Sequence, residues 1–149
     1  MALVSNKKAL YDFQVLETYE AGIELFGYEV KSLRNGHGSL KGAHVVVRGG
    51  EAYLVGATIP AVQPKNAPAS FDPERPRRLL LTKKELDKLR GVDATKGLTM
   101  VPISLYNKKR YIKLEFASVR GKKMADKREA IKERDTKRDI ERIMKQQNR

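Results

Sequence analysis

Glu20, Glu24 and Glu29 stand four and five residues apart, a spacing at which carboxylates can converge on a divalent metal or move protons. In a basic chain the plainer expectation is a set of salt bridges. A carboxylate beside a basic RNA site has a third use, accepting hydrogen bonds from guanine edges or 2′-hydroxyls, and Glu20, next to Gly22, is the one placed for it. The only histidines, His37 and His44, fall in a glycine-rich turn and at the entry to a strand. Neither resembles a metal-ligand pair at helical spacing. Asn35-Gly36-His37-Gly38 has the glycines of a phosphate-cradling turn, but no Gly-Lys-Ser or Gly-Lys-Thr follows it as a P-loop requires. There is no cysteine, which excludes disulfides, thiolate zinc sites and cysteine nucleophiles together. The inventory predicts a protein that binds rather than catalyses, with no metal and no cofactor. The enzymatic rival is RNA processing by Glu20 and Glu24 with a divalent metal.

The charge points to what is bound. Lys and Arg number 31 against 18 Asp and Glu, a net charge of +13 with a pI near 10.0 in 149 residues. Such a surface attracts polyanions, and nucleic acid is the expected one. No stretch approaches the ~20 apolar residues that span a bilayer, and Met1 to Lys8 lacks the apolar core of a signal peptide. A soluble, unexported protein without membrane contact is expected.

The elements that must hold these residues are legible as alternation and punctuation. Tyr11 to Phe26 reads as a strand with a bend or bulge at Gly22. Ile23, Phe26, Val30 and Leu33 then fall at helical spacing, which predicts a helix near Gly27 to Arg34. Ala43 to Arg48 and Glu51 to Ile59 form a hairpin about Gly49-Gly50. Pro60 to Arg78 holds five of the six prolines and reads as a long, stiffened loop. Thr82 and Glu85 make a capping box, with Leu81 and Leu86 as its hydrophobic staple and Gly91 as a stop, for a helix of roughly Lys83 to Arg90. Leu98 to Tyr106 and Arg110 to Val119 form a second hairpin around Asn107-Lys108-Lys109. There Ile112, Leu114 and Phe116 alternate with Lys113 and Glu115. The count is about five strands with a helix between the third and fourth. That outline is mainly β, an OB-fold-like antiparallel barrel with two or three short helices and a basic C-terminal tail.

Two segments follow, a barrel over 1–120 and a tail over 121–149. The tail carries eleven Lys or Arg and six Asp or Glu, and its aliphatic points, Met124, Ile131, Ile140, Ile143 and Met144, make no continuous stripe. Its i,i+4 pairs are worth only ~0.2–0.5 kcal/mol each, against about 1–2 kcal/mol per residue to order the backbone. Alone in water it is expected to be disordered. Against phosphates, Lys127, Arg134, Arg138, Arg142 and Lys145 can share one helical face, so folding on RNA is expected.

Several blocks carry a resemblance. Asn6-Lys7-Lys8-Ala9, Glu20-Ala21-Gly22-Ile23, Gly27 to Arg34, Asp72 to Leu81, and Gly121-Lys122-Lys123 followed by Asp126-Lys127-Arg128 resemble, in order, the signature blocks of the SmpB family of SsrA-binding proteins. The resemblance implies a cytoplasmic, non-enzymatic partner of transfer-messenger RNA in trans-translation, a monomer in a 1:1 complex with that RNA. It implies a barrel that binds the tRNA-like domain near its elbow, with Asn6, Lys7, Glu20, Lys31, Arg34, Arg77 and Leu80 on the RNA surface. It also implies a tail that enters the decoding centre and empty mRNA channel of the small ribosomal subunit and becomes helical there. The tail's working residues by this resemblance are Gly121, Lys122, Lys123, Asp126, Lys127, Arg128, Ile143 and Met144. Ala125 departs from the pattern, since the family usually has an aromatic residue there. Tyr11 stands where the family often has His. Composition alone fits equally well a ribosomal structural protein whose basic extension threads ribosomal RNA.

Overall fold

Alternation decides most of the architecture. In β7 (Tyr111–Gly121), Ile112, Leu114 and Phe116 are buried. The pleat sends Tyr111, Lys113 and Glu115 to the opposite face. The structure, a computed structural model, describes residues 2–61 and 68–121. β7 makes a long hairpin with β6 (Leu98–Lys108), and its other edge carries β2 (Phe13–Ile23), from Phe13↔Gly121 to Gly22↔Lys113. β2 passes on to β5 (Arg77–Leu80) at Gly22↔Leu80, and β5 to β4 (Glu51–Val55) at Leu54↔Arg77. β4 pairs along its length with β3 (His44–Arg48), which returns to β6 at Val45↔Met100. Six antiparallel strands therefore close a ring. A seventh, β1 (Ala2–Ser5), lies on β6 at Ser5↔Ser104.

This is the expected mainly β barrel, with two strands beyond the five that alternation revealed. Its core includes Leu33, Leu40, Leu54, Leu79, Leu105 and Phe116, each almost wholly excluded from solvent. Among the described residues three helices decorate it: α1 (Lys7–Asp12), α2 (Gly27–Arg34) and α3 (Lys83–Ala94). α2 occupies the residues its spacing predicts.

The departures have local causes. Tyr11 belongs to α1, so β2 starts two residues later than the alternation suggests. The β2 bulge falls between Val15 and Glu17. Gly22 instead marks close approach, since a Cβ there would meet the Leu80 side chain at 3.3 Å. β4 stops at Val55 because Gly56 takes φ +82° and packs on the Gly42 backbone, where a side chain is strained. The β3–β4 turn uses Gly49 and Gly50 as expected, at φ +58° and +82°. Arg77 and Arg78, assigned to the proline-rich loop, open β5. The β6–β7 turn sits at Lys109 and Arg110, with Lys109 at φ +59°.

α3 runs through Gly91 to Ala94, because Val92 packs on the core and tertiary contact outweighs glycine's modest helix penalty. Its start is the expected capping box: Glu85 N–H donates to Thr82 Oγ1 at 3.2 Å and Thr82 N–H to Glu85 Oε1 at 2.8 Å. Leu81 and Leu86 join the same core cluster. Thr82→Ala is expected to cost about 1 kcal/mol, a fall of about 2–4 °C in Tm by calorimetry. Thr82→Ser, which keeps the oxygen, should restore it.

Candidate nucleic-acid interface

The interface is built outward from one buried carboxylate. Glu29, in the first turn of α2, is 0% exposed, and so is Arg77 of β5. Glu29 Oε1 accepts the Phe26 N–H at 2.9 Å and Arg75 Nη2 at 2.6 Å; its Oε2 accepts Arg75 Nε at 3.1 Å and Arg77 Nε and Nη2 at 3.0 and 2.8 Å. Arg77 also donates to the carbonyls of Ala57, Arg75 and Pro73 at 3.1, 3.0 and 2.8 Å. Burial pushes the Glu29 carboxyl up, but the hydrogen bonds from Arg75 and Phe26 and the Arg77 guanidinium together hold it below the ordinary carboxylate value. The Arg75 guanidinium lies 4.2 Å from the Phe26 ring centroid, a cation–π contact.

This geometry corrects the expectation for Arg77. Its side chain is enclosed and its donors are spent within the protein, so it offers nothing to an external RNA. What it does is tie β5 to α2. Leu80, three residues along β5, and Arg34, at the end of α2, consequently line one cleft of about 360 Å³ together with Gly22, Arg110, Tyr111 and Lys113. Arg34 Nη2 donates to the Arg110 carbonyl at 2.9 Å. Lys31 is exposed one turn earlier on α2, i,i+3 from Arg34 and therefore its neighbour on the helix surface.

Glu20 lies two residues before Gly22 on the same outward face of β2, about 7 Å along the strand. It accepts a hydrogen bond from the Tyr106 hydroxyl and another from Lys108 Nζ at 3.1 Å. Tyr106 foremost, then Lys108, hold its carboxylate below the ordinary value, while burial and the Glu20 charge push the Tyr106 hydroxyl well above its own. Glu24 pairs with Arg78 at 3.2 Å. Each of the three glutamates is thus engaged by a cation, as the salt-bridge reading expects. Among the described residues no cluster of three or more His, Asp or Glu could hold a metal ion.

The remaining expected residues lie elsewhere. Asn6 spends its side-chain amide on the Pro102 carbonyl at 3.0 Å and lines a different cleft, with Lys8, Lys41 and His44, while Lys7 is exposed beside it on α1. Gly121 closes β7 opposite Phe13, one residue into the segment assigned to the tail. Lys122, Lys123, Asp126, Lys127, Arg128, Ile143 and Met144 lie outside the described residues.

Five residues of the β6–β7 hairpin were not expected: Tyr106 and Lys108 on β6, Arg110 in the turn, and Tyr111 and Lys113 on β7. The signal was present. Extending the alternation of Ile112, Leu114 and Phe116 back by one position puts Tyr111 on the wet face beside Lys113.

Charge pairing sorts the cations. Arg48, Arg75, Arg77, Arg78, Lys88, Arg90 and Lys108 are each ion-paired with a carboxylate. The other described Lys and Arg, Lys31 and Lys41 among them, are in no ion pair, and three of these, Arg34, Arg110 and Lys113, line the Leu80 cleft together. A cleft with unneutralised cations around exposed apolar side chains suits phosphates at its rim and bases at its floor.

Comparison with known proteins gives this chemistry a context. The profile of the family described as "SmpB protein" matches residues 3–146. An SsrA-binding protein of Clostridium acetobutylicum is 46% identical over 143 residues, covering 96% of this chain and 92% of its own. One from a Synechococcus species is 46% identical over 144 residues (97% and 94%), and one from Coxiella burnetii 45% over 140 (94% and 88%). A chain in the solved structure described as "tmRNA-SmpB: a journey to the center of the bacterial ribosome" superposes with a TM-score of 0.68 at 43% identity. It covers 85% of this chain and 92% of that one.

Proposed function

Because the chain belongs to the SmpB family, we propose that it binds the tRNA-like domain of transfer-messenger RNA and delivers it to stalled ribosomes for trans-translation. The observation that carries this reading is the extent of the family match: from residue 3 to residue 146 it spans the barrel and continues through the charged C-terminal segment. Both parts of the chain therefore belong to one family pattern. A ribosomal protein that merely shared the composition would have no reason to match it.

The barrel acts as a rigid grip in the cytoplasm, without a chemical step or a cofactor. Lys31, Arg34, Arg110 and Lys113 meet phosphates, and each phosphate neutralised releases counterions. Glu20, fixed by Tyr106 and Lys108, accepts hydrogen bonds from the RNA, an orientation a free glutamate would lose entropy to adopt. Leu80 contributes apolar contact. Asn6 and Lys7 form a separate contact near α1. The segment from Gly121 onward takes the second task, occupying the decoding centre and empty mRNA channel of the small subunit through Lys122, Lys123, Asp126, Lys127, Arg128, Ile143 and Met144. It substitutes there for a missing codon–anticodon duplex.

The test is a pull-down with the full chain from bacterial lysate at several salt concentrations, followed by sequencing of the bound RNA. One RNA, transfer-messenger RNA, should stay enriched at every concentration while total binding falls steeply with salt. If the protein is instead a stoichiometric component of salt-washed ribosomes with no enriched free RNA, the ribosomal structural reading replaces this one.

A further inference from the structure

Tyr111 is 66% exposed, the most exposed large apolar side chain among the described residues. It begins β7 immediately after the β6–β7 turn and faces outward, into the cleft that Leu80, itself 47% exposed, shares with Gly22. Folding gains little from an aromatic ring left this open, so the barrel itself does not require it. Around it stand three cations that pair with no carboxylate among the described residues, Arg34, Arg110 and Lys113. Arg34 has used one of its five N–H donors on the Arg110 carbonyl, which fixes the guanidinium beside the turn and leaves donors for a phosphate.

This inference rests on the RNA-binding reading above and deepens it. We propose that Tyr111 is the stacking platform of the RNA site and takes one unpaired base, which enters the cleft between Tyr111 and Leu80 while Arg34, Arg110 and Lys113 hold the flanking phosphates. The chemistry selects a single-stranded base. In an A-form helix both faces of each base are covered by its neighbours, whereas a loop base can splay out and offer a free face to an aromatic ring. Gly22 keeps the floor of the cleft open, because any side chain there would press on Leu80. The ligand is therefore a loop nucleotide of the bound RNA, and the stem on either side is held by its backbone.

The experiment uses the full-length chain and the isolated tRNA-like domain of transfer-messenger RNA, with 2-aminopurine placed at one loop position at a time. With the native chain, fluorescence at one loop position should be quenched on binding. Tyr111→Ala should remove that quenching and weaken binding by roughly 5- to 150-fold, the factor for losing one base–aromatic stack. Tyr111→Trp should restore both, and Tyr111→Leu, apolar without a ring, should restore neither. The slope of log affinity against log salt should be unchanged in Tyr111→Ala but smaller by about one in Arg34→Ala, because only the second loses a phosphate contact. Thermal unfolding of the Tyr111 variants should match the native chain, the ring being exposed. If the native chain binds the RNA but Tyr111→Ala binds as tightly, or no loop position is quenched, the stacking role fails and the RNA-binding reading survives. If the native chain does not bind this RNA, both fail together.

Discussion

Glu29→Gln is expected to destabilise the barrel by about 3–5 kcal/mol in urea unfolding, the cost of breaking a buried ion pair from one side. A domain of this kind has only about 5–15 kcal/mol in total. The magnitude follows from what is left behind. Arg77 would remain fully enclosed with its charge, facing a neutral amide that can accept fewer of the bonds now made by Glu29 Oε2. Arg77→Met should also be costly, for it takes two of the five hydrogen bonds from the buried Glu29 carboxylate, leaving Arg75 as its only cation, and removes the donor to the carbonyls of Ala57 and Arg75. Arg77→Lys is not conservative here, since a single ammonium cannot reach a carboxylate and three carbonyls at once. The double variant Glu29→Gln/Arg77→Met should lose clearly less than the sum of its parts.

The pH dependence follows from the direction of the Glu29 shift. The folded chain holds its carboxylate proton more weakly than the unfolded chain does, so the unfolded state binds more protons and stability rises with pH through that window. The contribution is complete above the ordinary carboxylate value of about 4.3 and disappears as pH falls through the lower folded value. The gap between the native chain and Glu29→Gln should thus be constant near neutrality and close in acid. A gap that instead widened below that range would contradict the assignment. Variants kept folded by low temperature should also bind RNA more weakly, because Leu80 and Arg34 are no longer held across their cleft.

The second large effect concerns the division of labour. A chain ending after Gly121 should bind transfer-messenger RNA within a few-fold of the full chain, while peptide tagging on stalled ribosomes drops to background. β7 sets where the cut belongs. Arg120 pairs with Gln14 and Leu98, and Gly121 with Phe13, so a break at Val119 would fray the strand that both neighbours lean on. A loss of RNA affinity by orders of magnitude in the Gly121 truncation would show that barrel and tail do not divide the work.

The legible parts of the fold were those whose signal is local. Gly49-Gly50 between alternating runs, Thr82 with Glu85, and the spacing of Val30 and Leu33 each announce an element within a few residues. β1 and β5 are four residues each, too short for alternation to register, and β5 begins with two arginines that read as surface. Nothing near Arg77 reveals that its partner lies 48 positions away in Glu29. The same non-locality divided the candidate site. Resemblance supplied Asn6, Lys7, Glu20, Lys31, Arg34, Arg77 and Leu80 as one group. The fold gathers Arg34 and Leu80, sets Glu20 beside them, places Asn6 at another cleft and buries Arg77. Tyr111 was overlooked for the opposite reason, since an aromatic residue at a strand end suggests core until its neighbours fix the face.

The pairing of Phe13 with Gly121 also bears on how the chain is made. A ribosome releases residues in order, and β7, the last of the described strands, is needed by both β6 and β2. The nascent chain therefore cannot close its ring until Gly121 has emerged, and early strands wait with open edges for a distant partner, a topology that folds slowly.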